Sequence, residues 1–182
     1  AASTGGDFVL TTHRHHGTTV VAVTGSGAVS PAAVLVEEPT GRVDRVAAGD
    51  RRAFALASGR LVEVDTADPA HPVVVAVREP GTNRRYTHVG VHGETLCLLT
   101  EEDQALELEV LDVSVRGAPR RQSALPLGPG WAADLAVHGT LAFVGLTHTD
   151  GAVPATYDWH VRVVDLSDPA SPRVVGDLPL AR

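Results

Sequence analysis

Lysine, isoleucine and methionine are missing from this chain, and cysteine occurs once in its 182 residues. A single cysteine, Cys97, excludes an internal disulfide framework. It lies in the apolar run Thr95-Leu96-Cys97-Leu98-Leu99, where a small buried hydrophobe is the expected role. All fifteen cations are arginine, which reads as the mark of GC-rich coding and not as a mechanism. The net charge of −7 argues against nucleic-acid binding, because phosphate neutralisation needs clustered cations. No run of eighteen apolar residues is present, so no membrane span is expected. With 43% hydrophobic and 20% charged residues, the chain can bury a real core as one domain.

What the chain does contain is one phrase written four times. Val23-Thr24 is followed by Pro31, Val64-Asp65 by Pro72, Leu111-Asp112 by Pro119 and Val164-Asp165 by Pro172. An alternating apolar strand precedes each copy and another follows it. Repeats of this period built from short strands mark β-propeller blades. Aligned on the prolines, the copies predict four strands each, A to D. The third copy predicts strands over 87–92, 95–100, 106–111 and 120–125. The second predicts 42–48, 53–57, 60–64 and 73–77. The fourth predicts 132–137, 141–147, 160–164 and 173–178. The first copy supplies strands over 8–11, 19–23 and 33–37, with no room for an inner strand before Gly6. The expectation is therefore an all-β propeller domain, or part of one, with four-stranded antiparallel blades over about 6–39, 42–79, 86–127 and 131–180. Open edges and uncovered blade faces then call for ring closure, a protein partner, a second half-propeller or a homodimer.

The turn between strands C and D has a local logic. An aspartate leaving a strand can accept from a backbone amide two residues on. A proline before strand D removes a donor where it is least needed. Asp165 to Pro172 shows the pattern fully, and Asp65 to Pro72 repeats it almost residue for residue. The pattern apolar-x-Val-Asp-x-Ser-x-Pro-x-x-Pro, after a strand and glycine turn such as Val91-His92-Gly93, resembles the LVIVD repeat of bacterial and archaeal proteins. That resemblance implies propeller blades, often in extracytoplasmic or surface-associated proteins, and no single activity. The opening Ala-Ala-Ser-Thr-Gly-Gly fits a mature end after signal-peptide removal or a trimmed chain. A secreted or extracytoplasmic protein is expected, with a cytoplasmic one as the alternative.

Candidate site residues fall in one loop class. Blade topology places the D-to-A and B-to-C loops on one face, where propeller ligands usually bind. His13, His15 and His16 lie in the first B-to-C loop and His148 in the last. His13 and His15 alternate, so they share one side of an extended chain and could hold a divalent metal. Counting back from turn glycines, with Gly49 as the equivalent in the second copy, gives Asp44, His88 and Asp134 as matching inner-strand positions for a metal or polar ligand. Arg84, Arg85, Tyr86 and Trp131 lie in D-to-A loops and suit anion binding or stacking. No phosphate loop, nucleophile elbow or paired-carboxylate motif is present. Two functions follow. The first is a non-enzymatic binding or assembly module that presents loops for protein or ligand recognition. The alternative is a metal-assisted hydrolase or lyase at the channel mouth.

Overall fold

The computed structural model describes the backbone over 2–5, 8–13, 17–23, 29–35, 43–68, 70–103, 105–149 and 157–180, and side chains over 43–68, 70–103, 105–147 and 158–180. Among the described residues, sixteen strands form four antiparallel four-stranded sheets in chain order. The first sheet holds β1 (Ala2–Gly5), β2 (Phe8–His13), β3 (Gly17–Val23) and β4 (Val29–Leu35). The second holds β5 (Val43–Gly49), β6 (Arg52–Ala57), β7 (Arg60–Asp65) and β8 (Val73–Arg78). The third holds β9 (Arg85–His92), β10 (Thr95–Glu102), β11 (Ala105–Asp112) and β12 (Arg120–Pro129). The fourth holds β13 (Trp131–His138), β14 (Leu141–Thr149), β15 (Tyr157–Asp165) and β16 (Arg173–Leu180). The described residues include no helix long and apolar enough to cross a membrane.

The missing inner strand of the first copy is a correction. β1 pairs with β2 in register from Gly5↔Phe8 to Ala2↔Thr11. Its sequence Ala-Ser-Thr-Gly has no apolar alternation, so periodicity gave no sign of it. The first copy is also out of step with the others. Val21 pairs with Pro31 and Val23 with Val29, whereas Asp65 pairs with Val73. Pro31 therefore lies within β4, not ahead of it. β4 is the last strand of its sheet, a place where a proline is tolerated.

The sheets repeat two irregularities. Where strands C and D pair, an extra residue is accommodated near the start of D in each, Ala32, Val75, Gln122 and Val175, and the third sheet accommodates a second, Leu127. Where A and B pair, the extra residue is Asp44, Thr87 or Ala133 in the second, third and fourth sheets. Such bulges increase local twist and bend the strand. The Asp turns form as expected. Asp65, Asp112 and Asp165 each accept through Oδ1 from the amide two residues on, at 2.9, 2.8 and 2.9 Å. Asp68 and Asp168 close a second turn by the same geometry, with Ala70 and Ala170 as donors. The residue after the first aspartate donates its amide to the turn between strands A and B: Thr66 to Arg51 O, Val113 to Glu94 O and Leu166 to Thr140 O.

The chain forms two compact units, residues 1–80 with 115–118, and residues 81–114 with 119–182. In the first unit Val43, Val46, Ala53, Ala55, Ala57, Val62 and Val64 form a core cluster, and β1 and β2 pack on β5. Gly117 donates its amide to the fully buried Glu63 at 3.1 Å, and Arg116 pairs with Asp65. Gly117 has φ +72°, and a Cβ there would lie 3.2 Å from Val75 O, so glycine is required. In the second unit, third-sheet residues such as Cys97, Leu99 and Leu108 interlock with Leu135, Val144 and Leu146 of the fourth. Gly90 permits this approach, since a Cβ on it would lie 2.8 Å from Val137 Cγ2.

Candidate functional site

A cleft of about 280 Å³ opens in the second unit, lined by Asn83, Arg84, Arg85, Glu101, Asp103 and Trp131. Its walls come from the approach to β9, the turn between β10 and β11, and the start of β13. Those are the D-to-A and B-to-C connections of the blade grammar. Asn83 and Asp103 both adopt left-handed backbone, φ +59° and +46°, a conformation their short polar side chains tolerate. The structure thus brings Arg84, Arg85 and Trp131 together, and it adds Glu101 and Asp103, which the sequence did not single out.

The arginines are already engaged. Arg85 donates through Nε and Nη2 to Glu101 Oε2 at 3.1 and 2.6 Å. The other oxygen of Glu101 accepts from the Ala132 amide at 3.3 Å, which fixes the chain beside Trp131. Arg84 donates to Glu107 Oε1 at 2.8 Å and sits near Glu102 and Glu109. The Glu107 hydrogen bond holds its guanidinium above the ordinary arginine value. Arg121 also reaches Glu107 and Glu109. The lining itself balances two arginines (84, 85) with two carboxylates (101, 103), and the wider cluster of three arginines (84, 85, 121) and five carboxylates (101, 102, 103, 107, 109) has a surplus of two negative charges. That balance favours a cationic group over an anion.

Tyr86 is buried and does not line the cleft; its hydroxyl lies 3.4 Å from Glu109 Oε2. His88 is buried too. Its Nε2 lies 3.0 Å from Ala133 O, and its Nδ1 3.2 Å from Thr87 Oγ1. A carbonyl only accepts, so Nε2 carries the proton. Ala133 is the bulge residue of β13, and His88 satisfies a carbonyl that the bulge displaces from the ladder.

The proposed equivalence of Asp44, His88 and Asp134 needs correction. Gly49 pairs with Arg52 and so matches His92 and His138, not the turn glycines. Asp44 aligns with Thr87 and Ala133, while His88 aligns with Arg45 and Asp134. Asp44 and Asp134 are exposed, and Asp134 accepts from the Leu135 amide. Among the described residues no three His, Cys, Asp or Glu side chains gather to hold a metal. His15 and His16 lie outside the described residues. His13 ends β2 and His148 lies in β14, but their side chains are outside the described set. Cys97 is buried, and burial pushes its thiol up to about 12.

Residues 158–178 match the LVIVD repeat family model, a segment covering most of β15, the Asp165 turn and most of β16. No curated protein matches the chain. A solved structure of a protein from Lactobacillus plantarum is similar with a TM-score of 0.66 and 13% identity, over 94% of this chain and 54% of that one. A prolyl endopeptidase is similar at 0.58 and 19%, over 96% and 25%. The N-terminal domain of Nup159 is similar at 0.56 and 12%, over 99% and 47%. The neighbours are β-propellers, and the fold is that of a β-propeller with one LVIVD repeat match, in its last sheet. The chain spans about half the length of the Lactobacillus plantarum protein.

Proposed function

We propose that this propeller is a non-enzymatic recognition and assembly module, and that the cleft beside Trp131 receives a cationic side chain of a protein partner. One observation carries the reading: both arginines beside the indole are committed to carboxylates, Arg84 to Glu107 and Arg85 to Glu101, within a wider cluster that holds two more carboxylates than arginines. A guanidinium or ammonium group over an indole gains from the ring quadrupole as well as from nearby carboxylates. The walls are set by hydrogen bonds to backbone, as at Ala132, so little ordering remains for binding to supply. His88 and Cys97 are buried structural groups, which weighs against the hydrolase or lyase alternative. Assembly is the second half of the reading, with a protein partner, a second half-propeller or a homodimer supplying further sheets.

The test of the cleft is selection of binders from a random peptide phage library against the purified chain, followed by titration of the winners. Peptides rich in Arg or Lys are expected, with binding lost in Trp131→Ala and weakened by salt. Acidic or purely apolar winners, or binding untouched by Trp131→Ala, would overturn the cleft reading.

A further inference from the structure

Among the described residues of the second unit, the fourth sheet is covered on one side only. Its inner side interlocks with the third sheet. Its outer side carries Trp159, Leu178 and Leu180, which are 49%, 60% and 46% exposed, with Val161, Val163 and Phe143 between them half-buried. Register makes the comparison with the third sheet direct. Leu141 pairs with His138 and Asp165 as Thr95 pairs with His92 and Asp112. Phe143, Trp159, Val161 and Val163 therefore stand where the third sheet has Cys97, Leu106, Leu108 and Val110, all buried under the fourth. Leu178 stands where Leu125 packs on the same core. The fourth sheet thus carries the residues of a covered face with nothing in this chain's second unit over them.

The polarity of β16 supports this. Asp177 pairs with Arg162 at 2.7 Å and with His160 at 3.0 Å, and Arg162 also donates to Leu127 O of the third sheet at 2.6 Å. The polar residues of this strand therefore belong to the side turned to its neighbour, and Leu178 and Leu180 to the open side. A sheet that ended against water would show the reverse.

We propose that this outer side docks on the first sheet of a second copy of the chain, so that two copies close on each other through two equal interfaces. This rests on the assembly half of the function proposed above and does not involve the cleft. A sheet that covers this side must repeat the part of Leu135, Ala142, Val144, Val164 and Leu166. In the first sheet, Phe8 pairs with Gly5 and Ala22 as Leu141 pairs with His138 and Asp165. Val9, Thr11, Val21 and Val23 then hold the register positions of Ala142, Val144, Val164 and Leu166. β5 packs on β1 and β2 as β13 packs on β9 and β10, which leaves that set of positions on the first sheet's other face.

Sedimentation velocity on the full chain at micromolar concentration is the test, with a species of twice 19.0 kDa expected. Leu178→Arg should weaken association about a hundredfold or more, as burying a charge in an apolar contact does, with the strand circular dichroism unchanged. Val9→Arg should do the same from the first sheet. An equimolar mixture of the two variants keeps one interface intact and should recover part of the dimer. Trp159 emission, read in a Trp131→Phe background, should shift to the blue as wild-type concentration rises and stay red in Leu178→Arg. A monomer with blue-shifted, concentration-independent Trp159 would mean that the chain covers its own face, and a red-shifted monomer that nothing covers it; either overturns the proposal. So does a dimer indifferent to Leu178→Arg, a mixture that fails to recover, or growth beyond two copies. Loss of cleft peptide binding with the dimer intact would sink the cleft reading alone.

Discussion

Glu101 is the side chain on which the cleft's geometry depends most, and replacing it gives a magnitude that can be worked through. Its carboxylate is 10% exposed, while the Arg85 side chain that it holds is 67% exposed. Solvent screens that pair, so its share is about 0.5–1 kcal/mol despite the two short donor distances. The bond from the Ala132 amide at 3.3 Å is partly buried, and losing it leaves a donor without a partner, a cost of about 1 kcal/mol. Glu101→Ala should therefore cost about 1.5–2 kcal/mol. For a chain of this size that is a fall of about 3–8 °C in the melting midpoint. Glu101→Gln retains an acceptor for Ala132 and should lose only the charge-dependent part, about 0.5–1 kcal/mol. Differential scanning fluorimetry and urea titration measure both. Trp131 emission in a Trp159→Phe background reports the local effect, a red shift for alanine and little change for glutamine. If alanine costs less than about 0.5 kcal/mol, or if glutamine and alanine are equivalent, the amide bond does not hold the cleft wall and the reasoning fails.

Three further outcomes are expected. Glu63 occupies the position of Val110 and Val163, so Glu63→Ala should cost about 2–3 kcal/mol in urea unfolding, and Glu63→Val should recover about half of that through apolar burial; equal costs would contradict the register. Gly90→Ala should destabilise by about 1–3 kcal/mol, because its new methyl meets the stiff Val137 side chain; a neutral result would deny the close approach of β9 and β13. Hydrogen bonds from Ser114 (hydroxyl, then amide) and Ser167 (amide, then hydroxyl), and then from Arg120 and Arg173, hold the Asp112 and Asp165 carboxyls below the usual value. Their stabilisation is complete above about pH 4 and is lost as pH falls through the depressed native values, so the Asp112→Asn, Asp165→Asn double variant should show a flatter acid limb in thermal melts than wild type, and an unchanged limb would refute it.

Most of the blade grammar was legible because it is written in local chemistry. The Asp turns at 65, 112 and 165 follow from what a carboxylate can do two residues along a chain. The first copy misled for the same reason. Thr24 and Pro31 keep the spacing of the phrase, but β3 and β4 pair two residues out of step with it, and no side-chain pattern records a pairing. Gly49 misled by resembling a turn glycine while closing the ladder. The buried carboxylates were invisible for a different reason. In Glu107-Leu108-Glu109, alternation reads as leucine inward and glutamate toward water. Glu109 is nevertheless buried, with Arg84 and Arg121 near it. Asp103 and Glu101 joined the cleft through a turn whose shape depends on a left-handed residue, which sequence spacing does not encode.

The ties from Thr66, Val113 and Leu166 to Arg51, Glu94 and Thr140 run between main-chain atoms only. Six side chains of five kinds therefore occupy a contact to which none of them contributes an atom. Vocabulary at the three exposed acceptor positions is decoupled from geometry, while Thr66, Val113 and Leu166 stay buried: the rim can be rewritten at 51, 94 and 140 while its loops stay pinned. A display library randomised at 94 and 140 would sample new surfaces on an unchanged frame, much as a printing forme accepts new type without being rebuilt.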